Sequence, residues 1–319
     1  MNKVSIIIPC FNIEKYISDC LDSILKQTHQ EYEIILIDSS TDSTPEIIEK
    51  YRKRFPERIK YFYQKPTGPS HARNFGISVS SGDFICFLDS DDMLYENSLE
   101  KRLMRFEKDD ELSLVFTNAS ILVENNPEKI SYKDIVGRFY EGFIFCELMI
   151  NNFICTSTVL IKKEVLKKLG NFNENLKNTE DYELWLRISR NNFKFGFVDE
   201  YLTYYRIRKG SLSENNIRNV ETLLNIFNRY YNNKLYNNEE EKKIIENNIK
   251  RFHSDYFIIK AKTLIISGEY KQAARMYLKI FKYNKFNLKY YLVLLLLFTF
   301  PEILLRILNK RKNHRGFDY

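Results

Sequence analysis

Through the first hundred residues, short runs of β-branched and other apolar side chains alternate with stretches whose apolar positions recur every three or four residues. That alternation predicts an α/β fold, a mainly parallel sheet with crossover helices. Val4 to Pro9 reads as the first strand, Glu33 to Asp38 as the second, Ile59 to Tyr63 as the third and Phe84 to Leu88 as the fourth. Between them, Tyr16, Ile17, Cys20, Leu21 and Ile24 fall at helical spacing, and Ser70 to Val79 predicts another helix. Thr44 followed by Pro45 offers a cap and a first-turn proline to a helix with Ile47, Ile48, Tyr51 and Phe55 on one face. Farther along, Leu112 to Asn118 and Ser157 to Ile161 are strand candidates, and Glu180 to Arg190 is a helix with Thr179 placed to cap it.

After about Ser213 asparagine and charge become dense and the helical period runs to the end. The expected organisation is a sheet domain over 1–213, a helical domain over 214–281 and an apolar, basic tail over 282–319. Phe257 to Ile266, Gly268 and Tyr270 to Phe281 resemble one helical-hairpin repeat, too few for a solenoid. In the tail, Tyr290 to Phe300 has Thr299 as its one polar residue outside the tyrosine hydroxyls, and spans about 16 Å at about 1.5 Å per residue, half a hydrocarbon core. With Lys310, Arg311, Lys312 and Arg315 behind it, this tail reads as an anchor on an anionic cytoplasmic leaflet. A buried core helix, or a surface through which the C-terminal helices pair two copies, is the alternative.

Composition narrows the classes. Of the net charge of +7, six units lie between Phe281 and Tyr319, where eight Lys or Arg face two acids, so a uniformly basic nucleic-acid binder is not indicated. The five cysteines contain no CxxC pair and sit mostly in apolar runs, which predicts reduced core residues. The four histidines are scattered and suggest neither a metal cluster nor a triad. The opening MNKVSIIIPCFN lacks the length and cleavage site of a secretory signal, so a cytoplasmic location is expected.

Chemistry is sought at the carboxyl ends of the strands, where open α/β sheets bind ligands. Pro9-Cys10-Phe11-Asn12 follows the first strand, Asp38-Ser39-Ser40-Thr41-Asp42 the second and Asp89-Ser90-Asp91-Asp92 the fourth. Three carboxylates on one short turn repel each other unless a cation sits among them, and Mg²⁺ or Mn²⁺ suits such oxygens together with a substrate phosphate. A solvated turn or a helix cap is the blander alternative for an isolated DxDD.

In order and spacing, five segments resemble family 2 glycosyltransferases of the GT-A fold: Val4 to Pro9 with Asn12, Ile37 to Asp42, Ala72-Arg73-Asn74 with Gly76, Phe87 to Asp92, and Glu180-Asp181 leading into Leu184-Trp185-Leu186-Arg187. The resemblance spans roughly residues 3 to 213. It implies a GT-A nucleotide-sugar-binding domain that moves a sugar, most simply from a UDP-sugar, onto a hydroxyl of a glycan or lipid-linked glycan by a metal-dependent, inverting single displacement. It implies that Pro9, Phe11, Asn12, Asp38, Arg73, Asp89, Ser90 and Arg208 line the donor site. Asp89 and Asp91, with Asp92 sharing the duty, would hold Mn²⁺ or Mg²⁺, Asp181 would be the base, and Glu180 would assist or touch the acceptor. Two departures stand out. Ile37 and Ser39 replace the family's first Asp and its Gly in the second turn, and in Tyr204-Tyr205-Arg206-Ile207-Arg208, which with Ser211 and Ser213 resembles the family's loop after the base, Arg208 stands where histidine is frequent. A processive synthase is disfavoured by the missing Gln-x-x-Arg-Trp motif, a sugar nucleotidyltransferase by the missing glycine-rich loop, and a non-catalytic scaffold by the intact acids.

Overall fold

The computed structural model describes residues 2–123, 126–208, 216–283 and 288–314, and for 126–129, 216 and 309–314 the backbone alone. Ser211, Ser213, Lys285 and Arg315 therefore lie outside the described residues, as do the side chains of Lys310, Arg311 and Lys312. Two compact units divide after Arg208: Met1–Arg208 and Lys209–Tyr319.

The first unit is built on one sheet. Its strands are β1 (Val4–Cys10), β2 (Tyr32–Asp38), β3 (Ile59–Tyr63), β4 (Phe84–Phe87), β5 (Met93–Leu94), β6 (Leu112–Val123), β7 (Asn126–Ser131), β8 (Leu160–Lys162) and β9 (Lys194–Ile207). They run in the order β3-β2-β1-β4-β8-β6-β9-β5, with β7 beside β6. The half made by β3, β2, β1 and β4 is parallel, as the alternation predicts. Beyond β4 the sheet turns mixed, because β8 runs antiparallel to both β4 and β6 while β9 runs parallel to β6. β1 is central and nearly all apolar; Ile6, Ile7 and Ile8 have no exposure, as expected of a strand covered on both faces.

Register explains why the candidate residues gather. Cys10 pairs with Asp38 and Ile7 with Phe87, so parallel β1, β2 and β4 end at the same edge and discharge their loops side by side. The helix Pro69–Val79 lies against this edge. A Cβ on its Gly76 would stand 2.5 Å from Ile7 Cγ2, so only glycine lets the helix seat this closely on β1 with Arg73 one turn earlier.

Three elements differ from the sequence expectation. Ser157 and Thr158, expected to begin a strand, lie instead in the 3₁₀ turn Thr156–Thr158, and β8 starts only at Leu160. Tyr204 to Ile207, expected in a loop, ends the 14-residue strand β9, which spans the sheet because β6 supplies a partner along its length. Ser39 needs no glycine-like backbone: among the described residues, Asn12, Thr179, Asn192 and Lys234 are the non-glycines with positive φ.

The second unit is helical, with Asn216–Asn232, Glu239–Ile266, Tyr270–Ile280, Leu288–Thr299 and Pro301–His314. Ala261, Ile265, Ala273, Ala274, Tyr277 and Ile280 form its core, joined by Leu294, Leu297 and Leu304 from the apolar tail. No single helix among the described residues is long and apolar enough to cross a membrane; Leu288–Thr299 and Pro301–Leu308 together are bent by 118°. None of the five cysteines is in a disulfide, and Cys10, Cys20, Cys86 and Cys155 are buried.

Candidate active site

The loops after β1 and β2 are laced together. Asn12 adopts the left-handed conformation at φ 50°, which asparagine tolerates better than most residues. Its amide donates to Ser40 Oγ at 2.8 Å, and its Oδ1 accepts from the Thr41 amide at 2.8 Å. Pro9 is half-buried at the end of β1, Phe11 projects with 57% exposure, and Ser90 is buried against the Cys10 thiol. Asp38 is fully buried; Oδ1 accepts from the Ser40 amide and Oδ2 from the Tyr61 hydroxyl, each at 2.9 Å. Burial, and then this bond to Asp38, raise the Tyr61 pKa and keep the phenol a donor. Tyr61 was not singled out from the sequence; its signal was no more than a polar tip on an apolar strand.

After β4 the three acids take separate roles. Asp89 Oδ1 accepts from Arg73 Nη2 at 2.7 Å, and its side chain keeps 36% exposure. Asp91 Oδ2 accepts from Arg208 Nε at 2.6 Å. Asp92, expected to share the metal with them, points the other way. Its Oδ1 accepts from the Arg206 amide at 2.8 Å and its Oδ2 from Ser157 Oγ at 2.5 Å, at 1% exposure. Both oxygens are thus consumed in tying the turn to β9 and to the 3₁₀ turn. Burial, followed by Asp91 and Asp89, pushes the Asp92 pKa well up. Burial and then Asp89 also raise that of Asp91, against the pull of Arg208. Among the described residues no group of three or more His, Cys, Asp or Glu side chains is arranged to hold a metal.

Arg73 joins this turn to the helix Glu180–Arg190. Its Nη1 donates to Glu180 Oε1 at 2.7 Å across 107 residues of chain, while Nη2 holds Asp89. Phe172 lies 5.3 Å from the guanidinium, ring face toward it. Burial alone would lower the Arg73 pKa, but Asp89 and Glu180 raise it above the ordinary arginine value, so the charge is fixed. Glu180, expected to assist the base or touch the acceptor, gives its Oε1 to Arg73.

Asp181 is partly exposed at the head of the same helix. Thr179 stands at the N-cap but in the left-handed region at φ 56°, and its hydroxyl donates to the Asn178 carbonyl instead of capping the helix. Asp181 Oδ1 accepts from the Tyr182 amide at 2.7 Å and Oδ2 from Thr156 Oγ1 at 2.8 Å. The helix dipole favours its ionised form, but burial first, and then neighbouring Glu180, outweigh this and raise its pKa to about 6. Thr156 and Ser157, adjacent on the 3₁₀ turn, were missed as site residues. Their legible signal was three hydroxyls, Thr156, Ser157 and Thr158, interrupting a buried apolar run. Removing the Thr156 donor should cost Asp181 a charge-assisted hydrogen bond. Thr156→Val is expected to lower kcat at neutral pH about tenfold and move the acidic limb of the pH profile upward, with Thr156→Ser restoring both. An unshifted profile in the valine variant would separate Thr156 from the acid.

Arg206, in β9, and Arg208, just past its end, reach the acidic turn. Arg206 Nε donates to the Asp91 carbonyl at 2.9 Å, its guanidinium lies 4.7 Å from the Tyr16 ring, and Nη2 reaches Asp19 at 3.3 Å.

Residues 5–170, more than half the chain, match the model of Glycosyl transferase family 2. The chain belongs to this family. An uncharacterised glycosyltransferase of Rickettsia bellii is 35% identical over 208 residues, covering 65% of this chain and 29% of that protein. A Bacillus subtilis glycosyltransferase named for teichuronic acid biosynthesis, TuaG, is 30% identical over 223 residues, covering 66% of this chain and 82% of TuaG. The chain therefore spans under a third of the Rickettsia bellii protein but most of the Bacillus one. Among solved structures, Staphylococcus aureus TarS 1–349 in complex with UDP-GlcNAc superposes with TM-score 0.61 at 22% identity, over 80% of this chain and 72% of that one. The mannosyltransferase PcManGT from Pyrobaculum calidifontis, in complex with GDP-Man and Mn²⁺, gives TM-score 0.61 at 16% identity, over 96% and 84%. At such identities these likenesses are of fold, and the fold is GT-A. The family match contains Asp38, Arg73, Asp89 and Asp91 and stops short of Glu180, Asp181 and Arg208.

Proposed function

We propose that this family 2 glycosyltransferase moves a sugar from a nucleoside-diphosphate sugar, a UDP-sugar in the first instance, to a hydroxyl of a glycan or lipid-linked glycan during cell-surface polysaccharide assembly. The observation that carries the proposal is the Arg73 bridge: one buried guanidinium holds Asp89 of the acidic turn and Glu180, next to Asp181, so two acidic segments far apart in the sequence lie side by side. The names of TuaG and of the TarS complex support the polymer and the UDP-linked donor.

In this reading the acceptor hydroxyl gives its proton to Asp181 as its oxygen attacks the anomeric carbon. The new C–O bond forms as the bond from that carbon to the diphosphate oxygen breaks, and the attack from the opposite face inverts the configuration. The acids after β4 suit a divalent cation. Asp89 Oδ2 accepts no hydrogen bond among the described residues, and two carboxylates with a substrate phosphate are a common donor set for Mg²⁺ or Mn²⁺. Asp89 and Asp91 would hold it, Asp92 would not, and when bound it would neutralise charge on the leaving diphosphate. Asp38 and Tyr61, laced beneath the β1 and β2 loops, would back the nucleotide's base, with Phe11 and Asn12 at the rim. Arg208, engaged with Asp91, would turn to the diphosphate.

A panel of UDP-sugars and GDP-mannose, incubated with the purified chain and an acceptor extract, tests the assignment by release of nucleoside diphosphate. Chelation is expected to lower turnover at least about a hundredfold, and added Mn²⁺ or Mg²⁺ to restore it. Turnover indifferent to chelator would remove the metal from Asp89 and Asp91, and silence across the panel would remove the transferase reading.

A further inference from the structure

The helix Leu288–Thr299 is apolar on two faces; the core of its own unit takes up one, and the other meets that unit at Tyr291, whose ring centroid lies 4.3 Å from that of Phe281. Leu294 and Leu297 enter the helical core beside Ala273, Ala274, Tyr277 and Ile280. Leu288, Tyr291, Leu292, Leu295 and Phe298, spaced by three and four positions, form a second stripe on which every side chain is more than half exposed. Phe300, Ile303 and Ile307 carry the surface past the bend onto the following helix. A helix whose outer face met only water would be polar there, and a continuous apolar patch of this kind marks an interaction surface.

Charge and length choose the occupant. Lys282, Lys289 and Arg306 are exposed in the same segment, and the sequence from Phe281 onward has eight basic residues against two acidic ones. Pairing two copies through this face would bring like charges together, whereas an anionic surface would neutralise them. The helix has 12 residues, about 18 Å, which is too short for a hydrocarbon core of about 30 Å, and its continuation departs at 118°. Such a pair can lie in an interface without crossing it.

We propose that the face made by Leu288, Tyr291, Leu292, Leu295 and Phe298, with its basic neighbours, docks onto an anionic phospholipid bilayer surface. The docking stands independently of the transferase reading; if that reading holds, it keeps the enzyme where lipid-linked acceptors are found.

The full chain is sedimented with phosphatidylcholine vesicles that contain or lack phosphatidylglycerol. Capture by the anionic vesicles is expected to exceed capture by the neutral ones by at least about tenfold and to fall as salt is raised. The variant Leu295→Glu/Phe298→Glu, altered at exposed positions, should lose at least about tenfold of that capture while keeping the parent's circular dichroism and thermal midpoint. If it unfolds instead, Leu292→Gln is measured in its place. Equal capture by both vesicle types or full retention by the folded variants overturns the proposal. So does a concentration-dependent dimer in sedimentation velocity that the variants abolish while the parent ignores vesicles.

Discussion

Asp181→Asn is expected to lower kcat by about 10²–10⁴-fold while leaving nucleotide-sugar affinity nearly unchanged. The amide can still accept from the Tyr182 amide and share the Thr156 hydroxyl, so the helix start survives, but it cannot take a proton from the acceptor. Burial and Glu180 hold the acid near a pKa of about 6. In the parent enzyme, kcat should therefore rise about tenfold per pH unit below that value and level off above it, and in the variant this limb should vanish. Stability moves oppositely. Between about pH 4 and pH 6 the native chain keeps a proton that the unfolded chain has released, so folding stability falls as pH rises through that window. The asparagine variant avoids this cost and should be more stable at pH 7.5, by an amount on the order of 1 kcal/mol. Single-turnover kinetics, donor titration calorimetry and urea unfolding measure the three quantities; near-parental turnover in the variant would strip Asp181 of its role.

Arg73→Met should be the most damaging substitution in the site. It leaves Glu180 buried and Asp89 half-open with no counter-charge at 2.7 Å, and losing one partner of a buried ion pair costs about 3–5 kcal/mol. Because Asp89 keeps solvent access, about 3 kcal/mol is the better expectation for urea unfolding. Activity should fall at least about a hundredfold even where the variant is folded, since the acidic turn and the helix carrying Asp181 lose their direct ionic link and stay joined only through Thr156 and Ser157. Arg73→Lys has the charge without the fork and can satisfy one acid at a time; it should recover stability better than turnover. Full activity in a folded Arg73→Met variant would show that the bridge is dispensable.

The difference between what was readable and what was not follows from range. β1 to β4 and the helices between them announce themselves because each apolar run is bounded by polar turn residues within a few positions, and parallel pairing then brings Asp38 and Asp89 to one edge. The helix Glu180–Arg190 has the same local signature. Partnership was not local. Nothing near Asp92 says that its oxygens will be taken by Ser157 and by the backbone of Arg206, and nothing near Glu180 points to Arg73. Thr179 shows how a residue type suited to a cap can occupy the cap position and still turn its hydroxyl elsewhere. β9 was obscured because its exposed residues break the apolar pattern; β6, paired along its whole length, holds it extended.

The turn Asp89 to Asp92 is finished from far downstream: Asp92 waits for Arg206 and Asp91 for Arg208, 114 and 117 residues later. As a ribosome releases the chain, the early strands can pair, and Arg73 can reach Asp89, while Asp91 and Asp92 still lack these downstream partners. Closing such distant contacts comes late and slowly. The parallel half of the sheet can therefore form before the corner after β4 is complete.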